Sequence, residues 1–203
     1  VYLHQITFVE GWRYSELIAA LHNHDAIDLS DFNGETIMAN LGLPNTHPEG
    51  QFFPDTYRFP RGITAISLLR QAHEALTERL NTAWSDYSIK NTLVTPYEAL
   101  ILASIIEKET RVPVERERVS GVFHRRLERG MRLQTDPTVI YGLGSDYDGR
   151  LSRMNLTQDT PYNTYTRNGL PPTPIALVGQ ASLSAAVNPQ PGSAIYFVAT
   201  GRD

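Results

Sequence analysis

The chain has 203 residues, a net charge of −4, a 41% hydrophobic composition and no cysteine. That length buries a sizeable core in one ordinary domain, alone or with a small appendage. The composition excludes a disulfide framework, a thiolate metal site, a bilayer-spanning run and a bulk charge that would draw nucleic acid.

The opening Val1-Tyr2-Leu3 shows no signal peptide, and a chain that starts on valine reads as a fragment. Tyr2 to Val9 alternates in the manner of a strand, Glu10-Gly11 makes a turn, and Tyr14 to His24 is helical with Leu17, Ile18 and Leu21 on one stripe. Leu43 to Gly62, dense in Pro, Gly and aromatics, is an ordered loop. Ile63 to Trp84 forms a long amphipathic helix with Ile66, Leu69, Leu76 and Leu80 inward. Residues 95 to 110 form an almost wholly apolar helix, capped by Thr95 with Pro96 at its first position and Glu98 completing a capping box. Glu115 to Arg129 is a third helix, with Val119, Val122, Phe123 and Leu127 inward and Gly130 as its stop. Met131 to Pro174 is mostly loop, and a short helix near Ala181 to Val187 and a strand at Ala194 to Ala199 close the chain. The fold class is α+β.

The apolar helix carries Glu107 and Glu109 to its C-terminal end. Glu107 lies over Ala103, Ser104 and Leu100, so its carboxyl has apolar neighbours at the negative end of a helix dipole. Both effects favour a neutral acid, the form that protonates a leaving oxygen in glycoside cleavage. The alternative is that Glu107 simply ends a core helix by pairing with Lys108 or an arginine. His22, His24 and Asp25 lack metal-ligand spacing, and no metal or cofactor is expected. Arg116, Arg118, Arg125, Arg126, Arg129 and Arg132, interleaved with glutamates, make a solvated, ion-paired face rather than a nucleic-acid site. A pyridoxal enzyme needs a Schiff-base lysine, and neither Lys90 nor Lys108 follows a strand with a phosphate-cradling loop. The loops carrying Gln134, Asp136, Tyr162, Asn163 and Tyr165 gather the amide, carboxylate and phenol groups that bind sugar rings, although Asp136 and Asn163 also suit local turns.

Glu49-Gly50, Phe53-Pro54-Asp55-Thr56-Tyr57, Leu102 to Thr110, Met131 to Gly142, Tyr162 to Tyr165, Gly169 to Pro172, Asn188-Pro189 and Tyr196 to Ala199 occur in one order. Together they resemble the bacterial endolytic murein transglycosylases, the YceG-like proteins. The resemblance implies a LysM-like subdomain over residues 1–43 and a helix-rich, lysozyme-like catalytic domain over residues 44–203, with a Gly-Gly-His continuation after its end. It implies internal cutting of peptidoglycan between N-acetylmuramic acid and N-acetylglucosamine, leaving 1,6-anhydromuramic ends. Its catalytic glutamate falls on Glu107, acting as acid and then base, and Glu109 is left a structural role. Gln134, Asp136, Asn163, Tyr165, Tyr162 and Ser104 are expected to line the cleft. The expected partners are glycan strands, cell-wall synthesis proteins and the cytoplasmic membrane, reached through an N-terminal helix outside this chain, with the catalytic domain on the membrane's outer face. A hydrolytic muramidase and a non-catalytic glycan-binding or scaffold module are the alternatives; an aminodeoxychorismate lyase fits least.

Overall fold

The computed structural model describes residues 2–30, 32–87 and 92–196. Lys90 and the last residues of the strand expected at Ala194 to Ala199 fall outside them, and residues 194 to 196 are not in a strand.

The N-terminal half is built on two short strand pairs. Strand β1 (His4–Thr7) runs antiparallel to β3 (Thr56–Phe59), with His4 opposite Phe59 and Thr7 opposite Thr56. Strand β2 (Ile27–Asp28) lies parallel to β4 (Ile63–Thr64). Between them lie α1 (Tyr14–His22) and the single turn α2 (Ile37–Asn40). Ile6 and Phe8, two apart and on one face of the strand, join Leu17 and Leu21 of α1, Phe52, Phe59 and the first half of α3 (Ala65–Ser85) in one core. Strand pairing and packing thus run across residue 43. The aromatic loop expected from 43 to 62 contains β3, whose Thr56-Tyr57-Arg58-Phe59 alternates as a strand should.

The second half is organised around α4 (Pro96–Glu109). Its N-terminus is closed as its sequence requires: Glu98 N–H donates to Thr95 Oγ1, and the Glu98 carboxylate accepts from the Thr95 N–H. All residues from Ala99 to Glu107 are buried, because α3, α5 (Arg116–Glu128), α6 (Asp136–Leu143) and α8 (Gln180–Val187) surround the helix. Burying each of its leucines and isoleucines contributes about 1.5–3 kcal/mol.

The stretch from Met131 to Pro174, expected as loop, also holds α6 and α7 (Arg153–Thr157). Of the arginine cluster, Arg118, Arg129 and Arg132 are exposed as expected, whereas Arg116 is buried in an ion pair with Glu107. Arg126 is buried and donates to the carbonyls of Leu133 and Ile195, Arg125 reaches those of Gln190 and Ala194, and Arg132 reaches that of Tyr165. Carbonyls in loops need donors when strands do not supply them, and these guanidinium forks meet that need.

One glycine sets the approach of the two halves. Gly50 has φ +73°, and a Cβ there would sit 2.5 Å from the Pro174 side chain. Gly50→Ala combines a left-handed alanine with overpacking, and we expect a loss of roughly 2–4 kcal/mol in urea unfolding. A change under about 0.5 kcal/mol would mean that this contact is not tight in solution.

Candidate active site

Residues 107 and 109 are about 200° apart around a helix, so α4 presents its two terminal carboxylates to opposite sides. They meet very different company.

Glu107 is 8% exposed and its carboxylate is fully engaged. Oε1 accepts from Arg116 Nη2 at 3.1 Å, and Oε2 accepts from the Gly179 N–H at 3.0 Å. Ser104, one turn earlier on the same face, holds Ile175 N–H at 3.0 Å while donating to the Ile101 carbonyl. These two polar groups in an otherwise apolar helix anchor the backbone of residues 175–179. The other edge of that segment exchanges hydrogen bonds with the turn after β1, Gly11 N–H to Leu177 O and Leu177 N–H to Trp12 O. Glu10 lies against Gly179, where any Cβ would collide with its carboxylate. Burial and then the neighbouring Glu107 raise the ionisation of Glu10, and Arg116 opposes them. The expectation of apolar surroundings for Glu107 is therefore corrected: a guanidinium and a backbone amide face it. Ser104, expected at the cleft, is fully buried and bonded within the fold.

Glu109, expected to be structural, carries the raised ionisation that was expected of Glu107. Burial, and to a lesser degree the charge of Asp136, hold its carboxyl above the usual range; Thr135, donating to Oε2 at 2.6 Å, pulls the other way. Oε1 has no partner among the described residues. Asp136 is exposed and accepts from Tyr165 Oη at 2.6 Å. Burial and Asp136 raise the Tyr165 phenol, so it stays a donor. Gln134 is exposed beside them, with φ +49°, the sole positive value outside glycine among the described residues. Its backbone is held in that turn by Gln134 N–H to Thr164 O and Thr135 N–H to Thr164 Oγ1. A left-handed glutamine costs about 1–2 kcal/mol, and strain of this kind collects at functional sites.

Of the residues expected to line a cleft, the fold brings Asp136 and Tyr165 together beside Glu109, with Gln134 next to Thr135 in the chain. Asn163 is not among them: it is buried, donates to the carbonyls of Asn155, Leu156 and Gln158, and accepts from the Tyr165 N–H. Its work is to shape the loop that presents Tyr165. Tyr162 bonds Thr173 and packs edge-on against Tyr141, which in turn donates to the buried Glu49. Thr135 was not foreseen. Its only signal is its place beside Asp136, and only the fold shows that it reaches Glu109. His24 uses both ring nitrogens on backbone groups, Gln5 O and Ala26 N–H.

The family model described as "YceG-like family" matches residues 2–203. A Bacillus subtilis protein named endolytic murein transglycosylase is 34% identical over 98% of this chain and 59% of its own length. One of the same name from Streptococcus pneumoniae is 32% identical over 74% of this chain and 28% of its own. The chain thus spans 59% of the length of the first of these curated relatives and 28% of the second. A crystal structure of a YceG-like protein from Listeria monocytogenes superposes with a TM-score of 0.79 at 30% identity, over 98% of this chain and 70% of that one. With the match running from residue 2 to residue 203, this chain belongs to the YceG-like family.

Proposed function

We propose that this chain is the catalytic part of an endolytic murein transglycosylase, and that Glu109 is its acid and base. One observation carries the reading: a half-buried carboxyl whose ionisation is held above the usual range, with one oxygen free of partners among the described residues, beside Asp136 and Tyr165. Glu107, which the family resemblance put forward, is ion-paired on one oxygen and amide-bonded on the other, and we assign it to the scaffold.

The chemistry follows from the two states of one group. Neutral Glu109 gives its proton to the glycosidic oxygen as the bond to C1 of N-acetylmuramic acid breaks. The carboxylate so formed is steadied by Thr135 Oγ1 and takes the proton of the muramic C6 hydroxyl. That oxygen then attacks C1 and closes the 1,6-anhydro ring. Glu109 ends protonated, ready for another turn, and no water is consumed. The exposed Asp136 carboxylate faces the positive charge that develops at C1. Gln134 and Tyr165 offer an amide and a phenol to sugar hydroxyls.

Mass spectrometry of the fragments released from purified peptidoglycan tests this. Anhydromuramic ends are expected. Reducing ends would instead make the enzyme a muramidase, with Asp136 guiding water. The absence of any product would leave a glycan-binding module.

A pH profile supplies a second check. The donor is the neutral acid, so activity is present below the ionisation of Glu109 and lost as pH rises through it. Asp136 contributes to holding that ionisation up. Asp136→Asn keeps an oxygen for Tyr165 Oη and removes the charge, so the alkaline limb should move to lower pH. A limb that stays in place would remove Asp136 from the electrostatics of the acid.

The order β1, α1, β2, α2, β3, with β1 and β3 paired antiparallel, supports a LysM-like reading of an N-terminal unit that runs past residue 43 to Phe59. No helix among the described residues is long and apolar enough to cross a membrane. Anchoring at the cytoplasmic membrane and contact with cell-wall synthesis proteins belong to this proposal through the family resemblance alone.

A further inference from the structure

On the side of α4 away from Glu109, a groove of about 600 Å³ separates the turn after β1 from the helix end. Its lining differs in kind from the surroundings of Glu109. Acids (Glu10, Glu16) and cations (Lys108, Arg111) face each other across it, Trp12 adds a flat apolar surface, and the Glu107–Arg116 pair lies at its base. No hydroxyl or amide side chain lines it, so a neutral sugar would find few partners.

Two cations in this groove are incompletely used. Arg111 is exposed and makes no hydrogen bond or ion pair with the described residues, so its planar fork is open to a carboxylate. Arg116 is 7% exposed, yet its Nε finds no acceptor among the described residues. A buried guanidinium N–H without a partner costs stability, and a ligand carboxylate or its water beside the pair would satisfy it. Lys108 is already spent on the Gly11 carbonyl, which keeps the turn against the helix.

We propose that this groove is the subsite for the peptide stem of the glycan, a short peptide bearing both carboxylates and an amine. The inference rests on the glycan-cleaving reading above. Arg111 takes a stem carboxylate, and Glu10 and Glu16 take an amine or a peptide N–H. Reach decides whether the two sites serve one substrate. Lys108 and Arg111 bracket Glu109 in the chain, so groove and acid lie on either side of a helix end about 10–12 Å across. A stem of three to five residues extends roughly 10–18 Å, enough to pass from a sugar at Glu109 into the groove. The enzyme would then read whether a strand still carries its peptides.

Two measurements on the chain with and without Arg111→Glu test this. The first is the ratio of kcat/KM on peptide-bearing strands to that on strands stripped by an amidase. The second is calorimetric binding of a synthetic tripeptide with two free carboxylates and a side-chain amine. The charge reversal should lower the ratio about tenfold and weaken tripeptide binding at least tenfold. An unchanged ratio, or equal tripeptide binding by both proteins, would overturn the subsite. If the unaltered chain cuts neither substrate but binds the tripeptide in an Arg111-dependent way, the glycan reading fails and the peptide site stands.

Discussion

Glu109→Gln is expected to lower glycan cleavage roughly 10³–10⁴-fold, the upper range for one acid–base group, because the same carboxyl serves both proton transfers. Glutamine keeps the shape of the side chain and an oxygen for Thr135, so the fold should survive. Stability gives an independent sign. The folded-state ionisation of Glu109 is raised, so its ionised form costs stability, a cost that grows as pH rises through the ordinary carboxylate range and is complete above the folded value. Glutamine does not carry that cost, and the variant should be no less stable than the parent at neutral pH. The decisive comparison is with Glu107→Gln under the same assay. Full activity in Glu109→Gln together with a dead Glu107→Gln would reverse the two roles and return catalysis to the ion-paired carboxylate.

Arg116→Met is expected to cost about 3–5 kcal/mol in denaturant unfolding, because it leaves a buried carboxylate without its countercharge. Methionine retains much of the aliphatic bulk, so lost packing is a minor part of the change. With the guanidinium gone, Glu107 keeps the Gly179 amide and gains nothing against the nearby Glu10. Adding Glu107→Gln to Arg116→Met should recover a good part of the loss, and the double-mutant cycle isolates the pair. A single-variant cost below about 1 kcal/mol would show that water already solvates the pair, and the scaffold role given to Glu107 would fall with it.

How legible these features were depends on how local their causes are. The ends of α4 were readable to within a residue because Thr95, Pro96 and Glu98 act over one turn of chain. Helices α6 and α7 lie in a stretch that reads as loop although their signals are present, Ser152 and Asn155 capping each other and Gly144 ending α6 at φ +57°. The surrounding glycines, prolines and asparagines masked segments only five and eight residues long. Residue spacing alone put Glu107 and Glu109 on opposite sides of a helix. It could not say which side would meet Asp136 and which an arginine, because Arg116 reaches Glu107 only after the turn at 110–115 folds back. Asn163 and Ser104 have the chemistry of ligands, and only their surroundings show that backbone groups claim them first.

The stitching of residues 175–179 also bears on how the protein is made. Leu177 belongs to the N-terminal core, whereas Ile175 and Val178 belong to the core around α4. The rest of the N-terminal core is complete in sequence by Ala72. At the usual pace of synthesis, roughly 5–20 residues per second, Leu177 follows it after about 5–20 s. For that interval the nascent N-terminal unit has a gap where one leucine belongs, and the turn at Gly11 and Trp12 has no strand-like partner. The unit made before the α4 core is therefore among the last to be sealed.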